Sequence, residues 1–247
     1  MTPTELREHC TRSAIQIWRQ HSGNHAGGPG AALMPLLLEK YSVGADLLFV
    51  GMNPSFSQLA VERILRDSVP NSPDVNAFFA WDQALDGEAL ERRVAEVVRF
   101  EAQARVDHKL YFGPLDDFAR RAGAQTPHAH IDLFLIRHTS QKEVREAYGA
   151  AFGKLCPFAQ EQFELFRYTL EAMAPKVVVV ANAGASDLAL EGLGLTSPDD
   201  GRSYRWTKLP KVPIFLCGML SGRRALDNHS KTRLALDVRA ALQVARG

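Results

Sequence analysis

Cysteine is scarce in this sequence, and long apolar runs and an excess of either charge are missing. Three cysteines among 247 residues, Cys10, Cys156 and Cys217, are too few and too scattered for a disulfide framework, a four-cysteine iron–sulfur centre or a structural zinc site. They read as buried or inert thiols. The longest apolar stretches, such as Leu33 to Leu38 and Val177 to Ala181, fall far short of the roughly 18 to 20 residues a spanning helix needs, so no membrane association is expected. Glu5, Arg7, Glu8 and Arg12 interrupt any apolar core of an export signal, which leaves a reducing cytoplasm as the expected location. With 29 Lys and Arg against 28 Asp and Glu, bulk charge makes no case for a polyanionic partner. The glycine-rich run between His21 and Ala31 lacks the Gly-Lys-Ser/Thr of a phosphate-cradling loop and reads as a surface loop. No internal repeat is present.

What remains is an ordinary globular composition, 46% hydrophobic and 23% charged, which excludes disorder and suffices for a sizeable core. Four apolar runs read as strands: Asp46 to Gly51, His130 to Ile136, Lys176 to Ala181 and Val212 to Cys217. None alternates polar with apolar, as expected of strands buried on both faces in a parallel sheet between helices. Helical spacing fills the intervals. Glu88 to Val106 and Phe158 to Met173 carry apolar residues on one face, Pro114 to Arg121 reads as a helix opened by proline, and the last helix is expected to start at Ser230 as N-cap. Asn71 to Asp74 and Ser197 to Gly201 read as surface turns. Strand and helix alternate throughout, so the expected class is α/β, one domain spanning residues 1–247.

In an open parallel sheet, ligands bind beyond the carboxyl ends of the strands. There the first run gives Gly51-Met52-Asn53-Pro54-Ser55-Phe56: glycine permits close backbone approach, asparagine both donates and accepts, and proline stiffens the turn. Turn chemistry alone accounts for such residues equally well. The segment from Gly218 to Gly247 is locally basic, with Arg223, Arg224, Lys231, Arg233, Arg239 and Arg246 against Asp227 and Asp237. It is either a solvated helix face or a phosphate grip.

The run Leu48-Phe49-Val50-Gly51-Met52-Asn53-Pro54-Ser55 resembles the first motif of the uracil-DNA glycosylase superfamily, whose mismatch-specific and single-strand-selective branches carry Gly-x-Asn-Pro there. The resemblance implies a three-layer α/β/α sandwich around a four-stranded parallel sheet, and hydrolysis of the N-glycosidic bond of a damaged or mismatched base in DNA. It implies no cofactor and no metal, and the protein is expected to act as a monomer. Asn53 would orient water at the sugar carbon, and Gly51, Met52, Pro54 and Ser55 would frame the flipped base. Phe56, Phe78 or Phe79 would stack on that base, unless they are core residues. Asp132 stands where the family reads the base with asparagine. An ionised aspartate only accepts hydrogen bonds, so burial would have to keep it protonated for uracil to be read in the same way, and pairing with Arg137 or capping a turn is the structural alternative.

After the fourth run, Met219-Leu220-Ser221-Gly222-Arg223-Arg224 matches the family's second motif at Ser221, with Gly222, Arg223 and Arg224 toward the DNA. Met219 replaces the His or Asn that hydrogen-bonds the departing base, and His229 or Arg223 is the expected substitute. Two other readings stand beside this one. The first is a glycosylase fold that binds nucleic acid or base without turnover. The second is a metal-dependent hydrolase using the string His128-Ala129-His130-Ile131-Asp132, whose three ligand-type residues would share one strand face.

Overall fold

The structure, a computed structural model, describes residues 1–21, 32–54, 58–68, 74–198, 201–222 and 224–247, without the side chains of residues 58 and 68. Ser55, Phe56, Arg223, segment 22–31 and parts of both surface turns (71–73 and 199–200) lie outside the described residues.

Each apolar run forms a strand. β1 (Leu47–Gly51), β2 (Ala129–Asp132), β3 (Val177–Ala181) and β5 (Leu209–Cys217) are mutually parallel in the order β2-β1-β3-β5. The period of two sends Leu48, Val50, Val178 and Val180 into one core and Leu47, Phe49, Val177 and Val179 into another. Two-sided burial explains why none of these runs alternates.

The expected four-stranded parallel sheet is corrected to five strands. β4 (Tyr204–Trp206) pairs antiparallel with β5 at the edge. At three residues, with Arg205 between its aromatics, β4 carries no apolar run, and its pairing extends β5 back to Leu209. β2 is shorter than expected, because after Asp132 the chain leaves the ladder. It still follows the end of β1, with Leu133 and Phe134 N–H donating to Gly51 and Met52 carbonyls at 3.0 Å.

Helices cover both faces. α1 (Pro3–His21) and α7 (Pro157–Met173) bury Trp18, Phe158 and Phe163 in the first core, joined by α2 (Gln58–Ser68), α3 (Val75–Phe79), α4 (Gly87–Asp107), α6 (Gln141–Tyr148) and α8 (Ala183–Gly192). α5 (Lys109–Arg121) and α9 (Asn228–Val244) close the second core with Leu115, Phe118, Val238 and Leu242. No helix among the described residues is long and apolar enough to cross a membrane.

Two helix starts differ from expectation. α5 begins five residues before Pro114, which sits inside the helix at the cost of one backbone hydrogen bond. α9 is capped by Asp227, whose Oδ1 accepts from the N–H of His229 and Ser230, while the Ser230 hydroxyl donates to Oδ2 at 2.6 Å. A carboxylate at this end satisfies the free N–H groups and complements the helix dipole, so it displaces serine from the cap.

One buried carboxylate pins the amino ends of the strands. Asp46 accepts from Gln125 N–H at 2.7 Å and pairs with Lys176 at 3.0 Å and Arg246 at 2.6 Å. Burial opposes its charge, but the Gln125 N–H, Lys176 and Arg246 outweigh burial and hold the carboxyl far below its ordinary range. Asp46→Ala is expected to cost about 2 to 3 kcal/mol, below the fully buried case because both cations are partly exposed. The folded value lies below the unfolded one, so this contribution is complete above about pH 4 and is lost as pH falls further. Urea melts at pH 7 and pH 3 check this: the gap between the two proteins should narrow at low pH.

Candidate functional site

A cleft of about 610 Å³ opens at the carboxyl ends of the parallel strands. β1 contributes Gly51, Met52 and Asn53, and β3 contributes Ala181 and Asn182. β5 leads into Met219, Leu220, Ser221, Gly222 and Arg224, while His108 and Tyr111 close one side from α5 and its N-cap. The two segments singled out in the sequence, at Gly51–Asn53 and Met219–Gly222, therefore meet across one opening. A second cavity of about 400 Å³ adjoins it along the outer edge of β2, with His108, Tyr111 and His130 as the shared wall and Pro54 and Asp132 in its lining.

Asn53 is 6% exposed. Its amide nitrogen donates to the carbonyls of His138 at 2.7 Å, Pro54 at 3.2 Å and Ile136 at 3.5 Å. Its Oδ1 is buried with no hydrogen-bond partner among the described residues. The donor half of the amide is thus consumed in fixing the side chain, and the acceptor half is buried and unpaired in a residue that lines the cleft.

Asp132 is 4% exposed and does not pair with Arg137. Arg137 instead reaches Glu101 at 2.5 Å, a charge contact rather than an aligned hydrogen bond, and donates to the Met34 and Pro35 carbonyls. Asp132 Oδ1 has no partner among the described residues. Burial, reinforced by the Glu101 charge, pushes the Asp132 carboxyl up to about 8. At neutral pH it is an uncharged acid, able both to donate and to accept a hydrogen bond.

The close approach needs glycine at 51. A methyl group there would overlap Asp132 Oδ1 and lie 3.5 Å from His130 Nε2. Gly51→Ala should displace Asp132 and cost about 1 to 3 kcal/mol. Thermal melts and a crystal structure of the variant check both effects; an unmoved carboxyl would contradict the packing described.

Around this point stands an aromatic wall. Tyr111 Oη lies 3.0 Å from His130 Nε2, and the Tyr111 and Phe112 rings meet His130 edge-on. Burial, then the charge of Arg105 and the neighbouring His128, brings His130 down to about 3, so its imidazole is neutral. Burial and the Asp132 carboxyl hold the Tyr111 phenol above its ordinary value despite Arg105.

Several expected site residues are not here. Phe79 is fully buried and packs against Phe78, Phe100 and the Arg137 guanidinium, with its carbonyl bonded to Met34 N–H. Phe78 and Phe79 are core residues, not stacking groups. His229 is exposed in the first turn of α9 and lines neither cavity, which removes it as a donor to the departing base. Arg239 and Arg246 of the basic segment turn to the Arg121 and Gly123 carbonyls. Arg224 and Arg233 remain exposed.

The string His128-Ala129-His130-Ile131-Asp132 puts its three side chains on one face, but they go to separate partners. His128 contacts Asp116 at 3.3 Å and the Arg105 guanidinium at 2.7 Å, while His130 contacts Tyr111. Among the described residues no group of three or more His, Cys, Asp and Glu could hold a metal ion. With a guanidinium already against His128, the metal-hydrolase reading fails on geometry.

Sequence reasoning missed Tyr111, His108, His138 and Asn182. Asn182 was within reach of the rule applied to β1, since it directly follows β3; its Oδ1 caps α8 by accepting from Ala185 N–H at 3.0 Å. No protein-family model matches the chain, and no curated protein matches it significantly.

Proposed function

We propose that the chain is a DNA glycosylase of the uracil-DNA glycosylase type, hydrolysing the N-glycosidic bond of uracil or another deaminated or mismatched base. The observation that carries this reading is the meeting of Gly51-Met52-Asn53 with the Met219–Gly222 turn in one cleft at the strand ends. A base swung out of the helix enters that cleft and reaches the adjoining cavity, where neutral Asp132 reads its edge. The C1′–N bond breaks with its electron pair leaving on the base. Water adds to C1′ from the side of Asn53, and its proton passes to solvent. Asn53 acts by orientation, because an amide oxygen accepts a hydrogen bond without taking the proton. Arg224 and Arg233 grip phosphates, a contact that weakens with salt.

A base-binding protein without turnover is the second reading, favoured by Met219, whose thioether cannot donate to a departing base. Oligonucleotides carrying uracil, hypoxanthine, xanthine or mismatches, incubated with the protein and then treated with alkali, separate the two. Scission at the altered base supports the enzyme. Retention of such oligonucleotides without scission supports the binder, and neither result on any of them rejects both readings.

A further inference from the structure

Met219 cannot donate, His229 lies outside the cleft and Arg223 lies outside the described residues, which leaves the residues lining the cleft as donors to a departing base. His138 is committed: its Nδ1 accepts from Ser140 N–H at 3.1 Å and its Nε2 faces Glu143 at 3.5 Å. Asn182 Oδ1 accepts from Ala185 N–H in the α8 cap, and the residue lines the cleft but not the adjoining cavity that Asp132 lines. Tyr111 lines both the cleft and the adjoining cavity, and its hydroxyl is 3.0 Å from His130 Nε2. That nitrogen lies beside the same face of Gly51 that Asp132 Oδ1 covers. Acid, imidazole and phenol thus converge on one spot at the end of β1, where a base read by Asp132 would lie.

We propose, resting on the glycosylase reading, that Tyr111 donates its hydroxyl hydrogen bond to the departing base and that His130 positions it. The neutral imidazole, in its Nε2–H tautomer, donates to Tyr111 Oη, which leaves the phenolic O–H free to point at the base. A neutral phenol has one O–H to donate, and the hydrogen bond that Tyr111 Oη accepts from His130 polarises it. The proton stays on Tyr111: the base leaves as an anion, stabilised by the hydrogen bond, and is protonated by solvent after release. The cluster suits a leaving group with a carbonyl oxygen beside the departing nitrogen, as in uracil. Tyr111 is the catalytic residue in this arrangement and His130 a positioning residue.

Single-turnover release of uracil and of 5-fluorouracil from otherwise identical oligonucleotides tests this with the full chain, Tyr111→Phe and His130→Ala. Tyr111→Phe should slow uracil release by about 10² to 10³-fold, the loss typical of one donor to developing negative charge. The loss should be smaller on 5-fluorouracil, whose anion is more stable and needs the donor less. Oligonucleotide binding should be unchanged, while loss of the partner of His130 lowers the melting temperature, so rates are compared well below it. His130→Ala should show the same leaving-group dependence with a smaller loss. Equal losses on both bases, or unimpaired release by Tyr111→Phe, would overturn the tyrosine's role and leave the glycosylase reading standing. If the unaltered chain releases neither base, the tyrosine's role falls, and the glycosylase reading falls with it only if the hypoxanthine, xanthine and mismatch oligonucleotides are also left intact.

Discussion

Asn53→Ala should reduce base release by at least about 10²-fold, or roughly 3 kcal/mol of barrier, with oligonucleotide affinity largely retained. The expectation follows from the division of labour within one amide. The nitrogen is fixed by the carbonyls of His138, Pro54 and Ile136, and the oxygen is left unpaired beside the cleft. Removing the side chain removes the acceptor proposed to align water, while the phosphate contacts proposed for Arg224 and Arg233 are untouched. It also frees three buried carbonyls, so a stability loss of about 1 to 3 kcal/mol is expected and the kinetics belong well below the variant's melting temperature. Single-turnover rates and filter binding measure the two effects separately. Unchanged turnover would take Asn53 out of the chemistry.

The second large effect is in pH. The folded value of Asp132, about 8, lies above the ordinary aspartate value. Between about pH 4 and pH 8 the native state therefore holds a proton that the unfolded chain has released, and stability falls as pH rises through that window before levelling off. The slope approaches 1.4 kcal/mol per pH unit in mid-window. Asp132→Asn keeps the shape, removes the titration and should be the more stable protein at pH 8 by an amount that shrinks toward pH 4. Function follows the same group: uracil release should decline above about pH 8 as the acid loses its donor, and the asparagine variant should carry activity to higher pH. Urea melts and rates from pH 5 to 9 check both. Parallel profiles for the two proteins would show that Asp132 is ionised throughout.

The strands were legible because burial on both faces leaves an unbroken apolar run, and β1 and β3 are the clearest cases. β4 was not, since Tyr204-Arg205-Trp206 owes its conformation to pairing with β5 rather than to a pattern of its own. Ser230 yielded the cap of α9 to Asp227 because a carboxylate three residues earlier serves the same N–H groups better. Within the site, the residues immediately after β1 and β5 could be picked out by position alone, as strand-end chemistry. Those set by distant contacts could not. The neutrality of Asp132 depends on its burial and on the charge of Glu101, contributed by α4. Tyr111 was hidden because local sequence starts α5 at Pro114, leaving the first turn of the helix, and the tyrosine with it, unread. Phe79 looked available for stacking until its neighbours in space, Phe100 and Arg137, were known.

The most direct measurement is a crystal structure of Asn53→Ala bound to an oligonucleotide containing uracil. The account predicts the base out of the stack and inside the strand-end cleft, its edge within hydrogen-bond distance of Asp132 and its sugar facing position 53. DNA held on another surface, or a uracil left stacked with the cleft empty, would contradict it.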